Sequence, residues 1–76
     1  MKDRVKKVMA QTFQIDAGQI PDDANPDTLA KWTSLNHVRL MAALEEEFGI
    51  FVSEEESIRL LHFRKLCEYV QRKLEE

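Results

Sequence analysis

Between Asp3 and Phe13 the apolar positions Val5, Val8, Met9 and Phe13, with Thr12 beside them, recur every three or four residues. That spacing lines one face of an α-helix and leaves the lysines on the other. The next periodic segment runs from about Ser34 to Phe48. With successive residues turning by about 100°, Leu35, Val38, Leu40, Met41, Ala42, Leu44 and Phe48 cover roughly 200° of arc. So broad an apolar face predicts more than one neighbour, which makes this second helix the expected centre of the fold. Gly49 follows it and suits the left-handed residue that ends a helix.

Residues 14–33 hold no sustained period. Ile15, Ile20, Leu29 and Trp32 are enough apolar anchors to pin a long loop onto a core. Asn25-Pro26-Asp27 signals a turn, with Asp27 placed to cap one helical turn near residues 27–31. Ile50-Phe51-Val52 is β-prone but has no second strand to pair with, so it is expected to plug the end of the bundle. Ser53 with Glu56 three residues on forms a capping box and predicts a short helix through Leu61. The final helix carries Phe63, Leu66, Cys67, Tyr69, Val70, Lys73 and Leu74, with Arg72 and Lys73 near its negative end. The predicted class is all-α: a four-helix bundle of three main helices and one short one, with a long ordered loop between the first two.

Composition narrows the function. The chain has 76 residues, 43% hydrophobic and 33% charged, which predicts a single domain spanning residues 1–76. A chain of this length buries only about 60% of its unfolded surface, so it lacks walls for an enclosed substrate pocket of about 300–1,000 Å³. The longest apolar run, Leu40 to Leu44, is too short to enter a membrane as a span. Neither a secretory signal nor an internal disulfide is expected, and the setting is expected to be cytoplasmic. The formal net charge is −3, with its signs segregated. Lys2, Arg4, Lys6 and Lys7 outweigh Asp3 at the start, whereas Glu45, Glu46, Glu47, Glu54, Glu55 and Glu56 share a segment without a base. No basic stripe interleaved with aromatic residues is present, which argues against nucleic acid. The acidic band suits a basic protein surface or, more plainly, is a solvated face.

No catalytic constellation emerges. His37 and His62 have no serine, cysteine or carboxylate in a triad relationship. His37 reads as a partly exposed packing residue and Cys67 as a buried structural thiol. His37 with Glu45 is a poor metal pair, and no glycine-rich phosphate loop exists. Neither catalytic residues nor metal ligands are therefore expected. Ser34 stands out by its place, where the long loop meets the amino end of the second helix. From residue chemistry alone, Thr33 or Ser34 is an N-cap. A hydroxyl carrying a phosphodiester-linked group fits the same place, because unpaired amides and the helix dipole stabilise phosphate there.

The run Lys31-Trp32-Thr33-Ser34-Leu35-Asn36-His37-Val38-Arg39-Leu40, continuing through Leu44-Glu45-Glu46-Glu47-Phe48-Gly49, resembles the prosthetic-group region of acyl carrier proteins. That family's usual motif is Asp-Ser-Leu followed by a helix ending in acidic residues and Phe. The segment Arg4 to Met9 also resembles the family's first helix, and the order of elements matches over essentially the whole chain. The resemblance implies that Ser34 bears a 4′-phosphopantetheine ester whose thiol holds an acyl, aminoacyl or polyketide-type intermediate as a thioester. It implies a non-catalytic, monomeric carrier served by a phosphopantetheinyl transferase and by acyl-activating, condensing or transferase enzymes. Leu35 would help seat the transferase, and Asn36, Arg39, Glu45 and Glu46 would meet partners.

Two departures from the motif carry expectations of their own. Thr33 stands where the family has Asp, removing a carboxylate that assists the transferase. Asn36 and Arg39 stand where fatty-acid carriers are commonly acidic, and Arg39 reverses the sign, which predicts a specialised carrier selective against housekeeping partners. The alternative from another class is a carrier-like helical docking module that is not modified and acts by protein–protein interaction.

Overall fold

The computed structural model describes residues 1–76. Four α-helices, α1 (Lys2–Phe13), α2 (Ser34–Phe48), α3 (Glu54–Ser57) and α4 (Phe63–Leu74), enclose one hydrophobic core, and there are no strands. α1 buries Val5, Val8, Met9 and Phe13, the stripe its spacing predicts, and α4 buries Phe63, Leu66, Tyr69 and Val70. α2 ends at Gly49 in the left-handed region, φ 66°, with its amide on the Glu45 carbonyl. The chain leaves α1 through the same conformation at Gln14, φ 58°.

Several expectations need correction. α2 buries only His37, Leu40, Met41, Leu44 and Phe48, an arc of about 100°. Leu35, Val38 and Ala42, at the outer edge of the expected arc, face solvent. The helix that closely approaches both α2 and α4 is α1 rather than α2. The extra apolar width of α2 belongs to the surface.

The long loop holds an unexpected 3₁₀ segment at Ala17–Gln19, and the expected single turn falls earlier than 27–31, with the Asn25 carbonyl accepting the Thr28 and Leu29 amides at 3.1 and 2.9 Å. The later turn is held by Asn25 rather than Asp27: Asn25 Oδ1 accepts the amides of Asp27 and Thr28 at 2.8 and 3.2 Å. Ile20, Ala24 and Trp32 are buried anchors, with Ile15 and Leu29 partly buried against them. The Ala24 carbonyl accepts the Phe63 amide at 2.9 Å, fastening the loop to the start of α4. Asp22 joins it to α1, accepting from Lys2 and Lys6 Nζ at 2.6 and 2.7 Å. Those two hydrogen bonds hold its carboxyl down at about 2.

α3 stops at Ser57, one turn earlier than the expected Leu61. Its capping box is present, with Ser53 Oγ accepting the Glu56 amide and Glu56 accepting the Ser53 amide. Of the expected plug, Val52 is buried and Ile50 packs against the core, but Phe51 is 73% exposed. Tyr69 explains the outward turn. Its hydroxyl donates to the Phe51 carbonyl at 3.2 Å, so backbone rather than the Phe51 ring meets α4. Burial, then the Glu56 carboxylate, pushes the Tyr69 hydroxyl up to about 12.

Candidate functional site at the amino end of α2

Thr33 adopts an extended conformation, and its Oγ1 accepts the Asn36 amide at 3.1 Å. Its carbonyl accepts the His37 amide at 2.8 Å, the first hydrogen bond of the helix ladder. The Lys31 carbonyl accepts from both the Thr33 amide at 3.0 Å and Asn36 Nδ2 at 2.7 Å. Thr33 therefore performs the capping that residue chemistry had left open between it and Ser34. Ser34 is the first residue of α2, is exposed, and its hydroxyl makes no hydrogen bond. The amides of Ser34 and Leu35 have no partner within the chain, as the opening residues of a helix leave them.

A buried chain of hydrogen bonds lies behind this end. Trp32 Nε1 donates to His37 Nδ1 at 3.0 Å, and His37 Nε2 lies 2.8 Å from the Ser57 carbonyl. An indole N–H can only donate, so Nδ1 must accept and Nε2 must carry the proton. The ring is stacked on Trp32 with centroids 6.0 Å apart, and Trp32 meets Phe13 at 5.9 Å. His37 is buried, with 8% exposure, rather than partly exposed as its place at the edge of the apolar arc suggested. Both ring nitrogens are engaged, leaving neither for a proton transfer or a metal. Sequence reasoning missed this pair; the spacing of five residues across a helix start was the only signal for it.

From Ser34 a shallow groove of about 360 Å³ runs between α2 and the segment joining α3 to α4. Trp32, Val38, Ile58 and Leu61 supply its apolar lining, and neither acid nor cation lines it. Val38 and Ile58 are 65% and 70% exposed and Leu35 is 59% exposed, so the approach to Ser34 is apolar on both sides. The sequence placed Leu35 beside Ser34 and Val38 one turn further on, though as a core residue, but did not bring Ile58 or Leu61 to the site, because the segment after α3 reaches it only through the fold.

The charged candidates separate along α2. Arg39 is exposed, with Nη1 3.4 Å from Asn36 Oδ1 and no carboxylate within ion-pair distance. The first turn of α2 carries no acidic side chain. Glu45 is half-buried and its Oε2 accepts the Val52 amide at 2.8 Å, so that carboxylate holds the following loop. Glu46 projects freely, and Glu47 approaches Arg4 at 3.6 Å.

A larger concavity of about 660 Å³ lies at the far side, between the start of α1, Asp22 and α4. It holds Cys67, which is half-buried rather than fully buried, and burial pushes its thiol up from the ordinary value. That favours the protonated, unreactive form. No cluster of three histidine, cysteine or carboxylate side chains is placed to hold a metal, and no helix is long and apolar enough to cross a membrane.

No protein-family model matches the chain. Among curated proteins it is 33% identical over 73 residues to an acyl carrier protein of Buchnera aphidicola subsp. Acyrthosiphon pisum (strain Tuc7), covering 96% of this chain and 91% of that one. The chain belongs to the acyl carrier protein family. It is also 28% identical over 72 residues to an acyl carrier protein of Thermosynechococcus vestitus, covering 95% of this chain and 89% of the relative. The helical architecture agrees with the family's fold.

Acyl carrier proteins are non-catalytic carriers that work with enzymes of acyl metabolism. The family typically carries phosphopantetheine. The amino end of α2 fits such a group: Ser34 offers an uncommitted hydroxyl, and the unpaired amides of Ser34 and Leu35 lie at the positive end of a helix dipole.

Proposed function

We propose that this acyl carrier protein bears 4′-phosphopantetheine on Ser34 and delivers an acyl, aminoacyl or polyketide-type intermediate to partner enzymes in the cytoplasm. The observation that carries the proposal is the division of labour at the start of α2. Thr33 supplies the cap, so Ser34 Oγ is free to form a phosphodiester without unravelling the helix. The Ser34 and Leu35 amides would face the phosphate oxygens, and Leu35 would seat the transferase. The group supplies a terminal thiol that holds the cargo as a thioester. Asn36, Arg39, Glu45 and Glu46 contribute the polar contacts that select partners, and the carrier acts as a monomer.

Co-expression with a panel of phosphopantetheinyl transferases, followed by intact mass measurement, tests the proposal. One phosphopantetheinyl group should be gained, and Ser34→Ala should abolish the gain. A second reading, an unmodified docking module, is favoured by the absence of any carboxylate in the first turn of α2. A folded chain that no transferase modifies would overturn the carrier reading in favour of that one.

A further inference from the structure

Asn36 and His37 together tie down the loop residues that precede Ser34. The Asn36 amide donates to Thr33 Oγ1 at 3.1 Å, and its Nδ2 donates to the Lys31 carbonyl at 2.7 Å. The His37 amide donates to the Thr33 carbonyl at 2.8 Å, and its Nδ1 accepts from Trp32 Nε1 at 3.0 Å. The neighbours of Asn36 fix which way its side chain points. A carbonyl only accepts and a guanidinium only donates, so Nδ2 turns to Lys31 and Oδ1 to Arg39 Nη1, 3.4 Å away. Asn36 is half-buried and His37 buried, while Ser34, Leu35, Val38 and Arg39 around them are exposed. The four bonds form a bracket that reaches over Ser34 and Leu35, whose amides and hydroxyl take no part in it.

We infer that Asn36 and His37 are positioning residues for the transfer of phosphopantetheine to Ser34: their bracket fixes the direction of Ser34 Oγ and of the two free amides. This inference rests on the carrier reading and adds to it the residues that present the acceptor. In the transfer, Ser34 Oγ bonds to the pantetheine-bearing phosphorus of coenzyme A. The bond from that phosphorus to the bridging pyrophosphate oxygen breaks, and the adenosine bisphosphate leaves with the electron pair. The hydroxyl proton passes to a base of the transferase. Such a displacement needs Oγ in line with the leaving oxygen, and a misplacement of about 1 Å can cost about a hundredfold in rate. The opening turn of a helix has no ladder bonds to its first amides, so it frays unless something else holds it. Here Lys31, Trp32 and Thr33 are held from the next turn, and Ser34 keeps its hydroxyl unbonded. Asn36 thus acts on Ser34 through Lys31 and Thr33, a role distinct from contact with partners.

The test compares three variants with the wild type. Asn36→Leu keeps the size of the side chain but has no donor for Lys31, and Trp32→Phe has no donor for His37. Val5→Ala truncates the buried core at the other end of α2, where Arg4 meets Glu47, and controls for lost stability alone. Each unmodified chain is mixed with coenzyme A and excess phosphopantetheinyl transferase, and a single turnover is followed by intact mass at several transferase concentrations. Asn36→Leu and Trp32→Phe should each lower the maximal rate about tenfold, with the half-saturating concentration little changed. Val5→Ala should change neither constant. Nitrogen relaxation of the unmodified chains reads the bracket without an enzyme. The Ser34 and Leu35 amides should be as ordered as the middle of α2 in the wild type and more mobile in both bracket variants. Maximal rates that do not fall, a change confined to the half-saturating concentration, an equal fall in Val5→Ala, or unchanged amide order overturns the inference. Arm addition to the wild type with unaltered variant rates sinks only the positioning role. No arm addition to the wild type by any transferase sinks the carrier reading, on which that role rests.

Discussion

Trp32 Nε1 donates to His37 Nδ1 at 3.0 Å in the buried layer beneath Ser34. The bond joins the last residues of the long loop to the first turn of α2, and His37 extends it to the Ser57 carbonyl at the end of α3. The end of the loop and the start of α2, adjacent in sequence, are thereby tied to the distant end of α3.

Trp32→Phe keeps an aromatic ring against Phe13 but removes the donor. Either His37 Nδ1 is left unpaired, or the ring changes tautomer and loses Ser57. We expect a cost of about 1–3 kcal/mol in urea unfolding. Nitrogen NMR of the imidazole should show the Nε2–H tautomer in the wild type. An Nδ1–H tautomer there would contradict the geometry.

Thr33 and Ser34 should respond oppositely to truncation. Thr33→Ala removes the cap and should cost about 0.5–2 kcal/mol. Ser34→Ala should change stability by no more than about 0.5 kcal/mol while abolishing the mass gain. Thr33→Asp keeps a capping oxygen and restores a carboxylate beside Ser34, so a generic transferase should modify it faster. Equal rates would show that Thr33 is no handicap.

Asp22 sets a pH dependence of known sign. Its folded carboxyl lies at about 2 against an ordinary 3.8, so folding favours the ionised form. The stabilisation is fully present above the ordinary value and is lost as pH falls from there through the folded one. Asp22→Asn should therefore lower the urea midpoint at neutral pH, and the gap to wild type should close on acidification between 3.8 and about 2. A gap that persisted into that acid range would assign the effect to something other than the lysine contacts.

Gly49 and Gln14 share the left-handed conformation, with φ 66° and 58°. A Cβ at Gly49 would meet no atom within 4 Å, so the cost of Gly49→Ala is conformational alone, about 1–2 kcal/mol. Gln14→Gly should change stability in the favourable direction, by less, because glycine also adds freedom to the unfolded chain. Chemical denaturation of both variants checks the pair.

The sequence by itself determined the helices, the Ser53–Glu56 capping box and the stop at Gly49. These are set by interactions within a few residues, and periodicity and capping chemistry report such interactions directly. It also singled out Ser34 by its place where the long loop meets the amino end of α2. Local chemistry could not decide which hydroxyl caps α2, because either residue can occupy that position. Only the tertiary structure settled that Thr33 caps and Ser34 stays free. It likewise decided which part of α2's broad apolar face is core. The same leucine and valine spacing serves a buried face or an exposed one, and only the positions of α1 and the α3–α4 segment distinguish them. Leu35 and Val38 face outward for that reason, and Trp32 reaches His37 because the loop folds back over the start of the helix.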